Sequence, residues 1–182
     1  MITEGRGLAL MAGTARPIRY LGDPVLRTEC DPVRTFDDRL VRLIDDMFAS
    51  MYAARGQGLA ANQIGVAEQI FVYDSLDDRE RRFVGHVVNP RLVEADGELV
   101  TGPEGCLSLP GLQYPTPRCG HAVVEGVDLE GKPIRVEGTG EFARCLQHEF
   151  GHLQGRVYVD VLTGETRKEA LRTIRTASWA DN

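Results

Sequence analysis

Two histidines four residues apart, His148 and His152, place the tightest constraint on how this chain can fold. On an α-helix, residues i and i+4 lie one above the other on the same face, so both imidazoles can reach one divalent cation. Glu149 lies between them, where a carboxylate can take a proton from a metal-bound water. The segment therefore predicts a helix that carries a hydrolytic metal centre. The alternative interpretation is an amphipathic helix whose two histidines share no function.

Length and apolar content indicate one folded domain. The chain has 182 residues, of which 42% are hydrophobic, and a chain of this size can bury a sizeable core without disulfides or metal staples. A segment that spans a bilayer needs about 18 or more apolar residues, and no apolar run in the sequence is that long. A soluble protein without membrane contact is therefore expected. Residues 1–15 contain only a short apolar piece and are predicted to be a disordered extension. This leaves 16–182 as a single domain.

Charge and cysteine usage narrow the class of protein. The formal charge is 21 minus 27, or −6, and no long basic block is present, which argues against a nucleic-acid site. Four cysteines are scattered along a chain that does not need disulfides, a pattern that fits the reducing cytoplasm. Any special cysteine is then a metal ligand or a nucleophile.

Hydrophobic periodicity and turn residues predict an α+β fold. A capping box at Thr35 opens a core-facing helix that ends near Gly56, and a second helix over 140–154 carries the His-Glu-x-x-His motif. The expected architecture is a set of antiparallel β-sheets packed around this central helix. Strand-like runs are predicted at 69–73, 83–88, 98–100 and 156–162, a hairpin at 122–129 and 132–136, and a terminal helix at 165–177.

Two histidines leave a catalytic metal centre incomplete, because such centres usually have three protein ligands and an open position. Glu165 or Glu169 in the tail would give a thermolysin-like zinc peptidase. Cys106 is the other candidate, since it lies between Gly105 and Leu107 in a segment where the backbone can come close to a metal. Taken alone, Cys106 is better interpreted as a small buried hydrophobic residue.

Three segments together resemble the signature motifs of the peptide deformylase family. They are Gly-Gln-Gly-Leu-Ala-Ala-Asn-Gln at 56–63, Glu-Gly-Cys-Leu-Ser at 104–108, and Gln-His-Glu-Phe-Gly-His-Leu-Gln-Gly at 147–155. Gly-Asp-Pro-Val-Leu-Arg at 22–27 is similar to the usual N-terminal segment of that family. The resemblance extends from about residue 18 to about residue 165 and identifies 16–182 as a deformylase catalytic domain.

The resemblance implies removal of the formyl group from the N-terminal formylmethionine of new polypeptides. It implies a ferrous ion, replaceable by zinc or nickel in purified protein, held by Cys106, His148 and His152. Glu149 would take a proton from water and later deliver it to the departing amine. The Gln63 side chain and the Leu107 backbone N–H would stabilise the oxyanion that forms on the formyl group.

The resemblance also implies how substrate is held. Main-chain groups of Gln57 and Gly105 would pair with an extended peptide that Gly58 allows to come close, and Cys145 would form part of the wall around the methionine side chain. Nascent formylmethionyl peptides are the expected partners. A weak ribosome contact is a further expectation, through a small basic face formed by Arg167, Lys168, Arg172 and Arg175 in the tail, although a solvated helix surface explains those residues more simply.

The chain departs from the family pattern at two positions. Gly151 stands where the family commonly has aspartate just before the second histidine, which weakens the helix and removes a carboxylate that could have paired with Arg118. Arg144 is more polar than expected for a pocket wall, and its charge is predicted to face outward. Besides the peptidase, a metal-stabilised module that binds nascent N termini without turnover remains an alternative.

Overall fold

A computed structural model describes residues 13–179 of the chain. Most of the predicted N-terminal extension, residues 1–12, lies outside the described residues. Within 13–15, the backbone N–H of Thr14 donates to Asp46 Oδ1 at 2.7 Å. None of the described helices has the length and apolar character needed to cross a bilayer.

In the described part of the chain, five antiparallel strands form one sheet in the order in which they occur in the sequence. The pairing runs β1-β2-β3-β4-β5 without a crossover, as expected where neighbouring strands are joined by short turns. The α+β prediction is confirmed. The strands are β1 Gly58–Ala60, β2 Ile70–Leu76, β3 Arg82–Gly105, β4 Gln113–Val127 and β5 Pro133–Thr139.

Within residues 13–179, three α-helices accompany the sheet. Helix α1 spans Asp38–Ala53, α2 spans Gly140–Leu153 and α3 spans Gly164–Arg175. Short 3-10 turns occupy Pro24–Arg27, Ala61–Ile64 and Tyr158–Asp160.

Strand β2 is buried on both of its faces. Ile70 and Val72 pack in a core with the apolar face of α1, whereas Phe71 and Tyr73 pack in a second core with Phe142 of α2. Because successive side chains of a strand point to opposite faces, α1 and α2 must lie on opposite sides of this part of the sheet. The second core places α2 against the sheet, and this helix contacts all five strands.

The predicted β4–β5 hairpin is confirmed, and its turn has a clear local cause. Asp128 Oδ1 accepts from the backbone N–H groups of Glu130 and Lys132 at 2.8 and 2.9 Å. Gly131 has a φ of +76°, a conformation that glycine adopts without steric cost.

The predictions for residues 156–162 and for the start of the first helix are wrong. Residues 156–162 do not form a strand, because they contain the 3-10 turn Tyr158–Asp160, in which Tyr158 and Val159 are buried against Leu109 and the apolar side of α3. Helix α1 begins at Asp38 rather than near Thr35. Its cap is Asp37, whose Oδ1 accepts from the N–H groups of Arg39 and Leu40 at 3.0 and 3.2 Å.

Candidate metal centre and active-site cleft

The two histidines lie on one face of α2, one helical turn apart. Their Nε2 atoms are 3.1 Å from each other, and their ring centroids are 4.8 Å apart. Burial lowers the pKa of His152 well below its usual value, which keeps its imidazole neutral, the form that binds metal ions.

Cys106 reaches the same point from the sheet. The β3–β4 pairing ends with Gly105 opposite Gln113, and Cys106 is the next residue along the chain. Its Sγ lies 3.3 Å from His152 Nε2. The ligand atoms of Cys106, His148 and His152 all lie within 4.8 Å of one another, so one soft sulfur and two imidazole nitrogens converge.

Glu104, two residues before Cys106, orients the first histidine. The Nδ1 atom of His148 lies 2.7 Å from Glu104 Oε1, so His148 donates there and its Nε2 turns toward His152 and Cys106. Burial by itself would raise the pKa of Glu104, but hydrogen bonds with His148 and Arg118 hold that pKa far below its usual range. Glu104 is therefore an ionised partner of the ligand imidazole, an arrangement that fixes the tautomer and orientation of a metal-binding histidine.

Arg144 does not face outward, and that prediction is wrong. Its side chain is only 7% exposed, and its Nη1 donates to Glu104 Oε2 at 2.8 Å. Arg118 also binds Glu104, with hydrogen bonds of 3.0 and 2.6 Å, so it has a carboxylate partner although Gly151 offers none. The two arginines therefore balance the negative charge of the Glu104 carboxylate that binds His148.

Glu149 is a buried carboxylate beside the ligand atoms. It is 4% exposed, and burial raises its pKa to about 7. Its Oε2 atom has no hydrogen-bond partner among residues 13–179. A carboxyl group with a pKa near neutrality and a free oxygen can both accept and return a proton.

Two potential donors flank the Cys106 thiol. Gln63 is held in the 3-10 turn after β1, where its Oε1 accepts from the Ala60 N–H at 2.9 Å. Its Nε2 therefore points the other way, 3.6 Å from Cys106 Sγ and 3.1 Å from Ser108 Oγ. The Leu107 N–H has no hydrogen-bond partner in the described part of the chain.

A cleft of about 770 Å³ opens onto these groups. Nine of the ten predicted site residues line it, and the tenth, His152, is fully buried. Cys145 forms part of the wall as a neutral thiol, because burial and the nearby Glu149 raise its pKa well above the usual value. Its Sγ donates to Gln57 O at 3.6 Å. The nine are Gln57, Gly58, Gln63, Gly105, Cys106, Leu107, Cys145, His148 and Glu149.

Comparison with known proteins identifies the family. The family profile described as Polypeptide deformylase matches residues 15–168. The chain belongs to the polypeptide deformylase family. It is similar to peptide deformylase 2 of Streptomyces coelicolor, with 56% identity over 167 residues that cover 92% of this chain and 93% of the relative.

Solved structures of deformylases share the fold. A crystal structure of a peptide deformylase from Legionella pneumophila aligns with a TM-score of 0.78 at 43% identity, covering 87% of this chain and 92% of that one. The deformylase of Synechococcus elongatus in complex with actinonin aligns with a TM-score of 0.80 at 36% identity, covering 92% and 94% of the two chains.

Membership of the deformylase family confirms the predicted activity, removal of the N-formyl group from new polypeptides. The chain is a hydrolase, and the alternative of a binding module without turnover is not favoured. The thermolysin-like alternative is not favoured either. Glu165 and Glu169 are exposed on α3, Glu165 pairs with Lys168 at 2.6 Å, and neither glutamate belongs to the group around His148.

The converging side chains of this deformylase fit a divalent metal ion. The Nε2 atoms of His148 and His152 and the Sγ of Cys106 point at one another. One cysteine sulfur with two imidazole nitrogens is a donor set typical of iron, zinc and nickel. A metal ion held by these three side chains would have a further coordination position for water or substrate.

Two buried residues beside the predicted metal ligands had no role predicted from the sequence. Glu104 belongs to one of the three motifs, but no role follows from the motif for it. Tyr158 lies in the segment predicted to be a strand, and the centroid of its ring is 6.2 Å from that of His148. A glutamate two residues before a candidate ligand was the only available signal for Glu104. No local pattern indicated the Tyr158 contact.

Proposed function

We propose that this cleft is the deformylation site and that Cys106, His148 and His152 are the ligands of a catalytic ferrous ion. The observation that carries the proposal is the convergence of three ligand atoms. His152 Nε2 lies 3.3 Å from Cys106 Sγ and 3.1 Å from His148 Nε2, and Glu104 already binds His148 Nδ1. Zinc or nickel can replace iron on such ligands. Residues 16–182 form the catalytic domain, with α2 as its central helix.

The metal ion, when bound, supplies Lewis acidity that makes water nucleophilic at neutral pH and polarises a carbonyl oxygen. Glu149 accepts the proton of the attacking water. Its unpartnered Oε2 and its pKa of about 7 suit that role, because the same carboxyl group can then protonate the departing amine. Glu149 acts as the proton carrier and does not ligate the metal.

Gln63 and Leu107 stabilise the negative charge that develops on the formyl oxygen. The Gln63 amide is held rigidly because its oxygen is bonded to the Ala60 N–H, so its Nε2 donor has a fixed position beside Cys106. The free N–H of Leu107 follows Cys106 directly. Such preorganised donors act mainly on the transition state.

Substrate lies along the cleft as an extended strand. Gly105 is the last residue of β3 paired with β4, and Gln57 directly precedes β1, so both can offer main-chain groups to a peptide between them. Gly58 keeps this strip of backbone free of a side chain. The neutral thiol of Cys145 contributes an apolar surface for the methionine side chain.

We place the reaction in the cytoplasm, where nascent chains emerge from ribosomes and where the free thiols Cys30, Cys106, Cys119 and Cys145 remain reduced. A ribosome contact would use α3. Arg167 there is engaged by backbone carbonyls and Lys168 by Glu165, which leaves Arg172 and Arg175 as exposed cations. Charge reversal of both should weaken co-sedimentation with ribosomes, and unchanged co-sedimentation would remove this contact from the proposal.

The decisive experiment measures formate release from formyl-Met-Ala-Ser by protein loaded anaerobically with ferrous iron. Glu149→Ala is expected to keep about one metal ion per chain and to lose turnover, since it removes a proton carrier. Cys106→Ala is expected to lose the metal. Glu165→Ala, on the exposed surface of α3, serves as the matched carboxylate control and should keep both properties. Loss of metal from Glu149→Ala would contradict the roles assigned here.

A further inference from the structure

Arg144 is a buried cation whose two Nη atoms donate three hydrogen bonds, whereas its Nε donates none among the described residues. Its Nη1 donates to Glu104 Oε2 and to Thr116 O, both at 2.8 Å, and its Nη2 donates to Val100 O at 3.0 Å. Its Nε has no hydrogen-bond partner among the described residues, and Glu141 Oε1 lies 3.5 Å away. Burying a guanidinium this way is costly, so these contacts are better explained by a role in geometry than by a gain in stability.

The strands leave a space of the right size for this side chain. Gly102 of β3 faces it, and a Cβ atom added at Gly102 would approach Arg144 Nη2 to 3.1 Å. The guanidinium therefore occupies a site where the strand lacks a side chain. The backbone carbonyls of Val100 and Thr116 accept its hydrogen bonds from adjacent strands, so Arg144 connects α2 to both β3 and β4.

The bond between Arg144 and Glu104 joins the two segments that carry the metal ligands. Arg144 is one helical turn before His148 on α2, and Glu104 is two residues before Cys106 at the end of β3. Glu104 also accepts from His148 Nδ1 at 2.7 Å. Arg118 binds Glu104 too, but it lies on β4 rather than on α2. Of the two arginines that bind Glu104 among the described residues, Arg144 is therefore the one that ties this carboxylate to α2, the helix that carries His148.

We infer that Arg144 is a positioning residue of the metal centre. It holds Glu104 against the ligand His148 and fixes the spacing between α2 and the strand end that presents Cys106. The inference rests on the proposed function, because it takes Cys106, His148 and His152 as the ligands. Partners that orient ligating residues typically change metal affinity or activity by about 10- to 100-fold when they are mutated.

The test follows release of cobalt(II) from the loaded full-length protein to a competing chelator, which needs no assay of deformylation. Arg144→Met removes all three hydrogen bonds and the charge, and the dissociation constant for cobalt(II) is expected to rise about 10- to 100-fold. The visible absorption bands of the cobalt form should shift, since the ligand geometry relaxes. Arg144→Lys keeps the charge and one bond to Glu104, and is expected to recover most of the affinity.

Arg81→Met is the matched control, because Arg81 also forms a close ion pair with a buried carboxylate, Asp77, but does so in the β2–β3 turn. This variant should bind cobalt(II) as the parent does.

A folded Arg144→Met with unchanged dissociation constant and unchanged absorption bands would overturn the inference. If Arg144→Met does not fold, Gly102→Val provides the test, since its side chain would displace the guanidinium; parental cobalt(II) binding by this variant would also overturn it. Retention of metal by Cys106→Ala would instead contradict the proposed ligands.

Discussion

The backbone of Gly58 packs directly against the carboxyl group of Glu149. A Cβ atom added at Gly58 would come within 2.8 Å of Glu149 Cδ and 2.9 Å of Cys145 Sγ. Both approaches are closer than van der Waals contact, so one of these groups would have to move. The position of the proposed proton carrier therefore depends on the absence of a side chain at residue 58.

Gly58→Ala is expected to lower kcat/KM for formyl-Met-Ala-Ser by about a hundredfold, the usual effect of displacing a catalytic group by about 1 Å. Metal content should not change, because no ligand is touched. The matched glycine control is Gly151→Ala, where a Cβ atom would meet no heavy atom within 4 Å. Equal kcat/KM for Gly58→Ala and the parent would show that Glu149 has room to shift without loss of function.

Gly151→Ala is expected to stabilise the protein. Gly151 lies inside α2, and alanine is favoured over glycine in a helix interior by about 1 kcal/mol. For a chain of this length the midpoint of thermal unfolding should rise by about 2–4 °C. Urea unfolding of the metal-loaded protein measures the change in the free energy of unfolding. A decrease would mean that the glycine is required for packing that the open surroundings of residue 151 do not suggest.

Gln63→Leu is expected to reduce kcat by a factor of about 100 or more, equivalent to about 3 kcal/mol of barrier, while keeping the metal. The variant removes the Nε2 donor but preserves the volume of the buried side chain. Ser108→Ala is the control, since it removes a hydrogen-bond partner of Gln63 without removing the donor. If both variants lose activity equally, the packing of this region rather than the donor itself supports catalysis.

His121 is expected to contribute stability that depends on pH. Its Nδ1 lies 2.7 Å from Asp96 and its Nε2 lies 3.0 Å from Glu137, so it joins β3, β4 and β5. These hydrogen bonds raise the pKa of His121 above its usual 6.5. A raised pKa in the folded state means that the contribution is complete below pH 6.5 and is lost as the pH rises through the raised value.

Urea unfolding of the parent and of His121→Gln at several pH values measures this contribution. The difference between the two in free energy of unfolding should be largest near pH 6 and should shrink at alkaline pH. A difference that does not vary with pH would show that His121 stabilises the sheet by packing alone. Arg135, which pairs with Glu94 and Glu125 on the same face, keeps its charge throughout this range and cannot produce such a change.

Local patterns predicted the helices well and the longest strand poorly. The segments 83–88 and 98–100 were expected to be separate strands because Asn89-Pro90 and Asp96-Gly97 resemble turns. In the structure they belong to the single strand β3, and register shifts fall at both places, between Val88 and Arg91 and between Asp96 and Leu99. Turn-forming residues and β-bulge residues share the same conformational preferences, so the sequence alone does not separate them.

The sequence by itself determined the residues that can perform the chemistry. Spacing along a helix places His148 and His152 on one face whatever the rest of the fold does, and the three motifs indicated Cys106, Glu149 and Gln63 through family resemblance. Their catalytic roles remain predictions. The tertiary structure decided which charges surround them. Arg144 is buried and Glu104 binds His148 because the end of β3 packs against α2, and such pairings between segments about 40 residues apart leave no periodic signal in the chain.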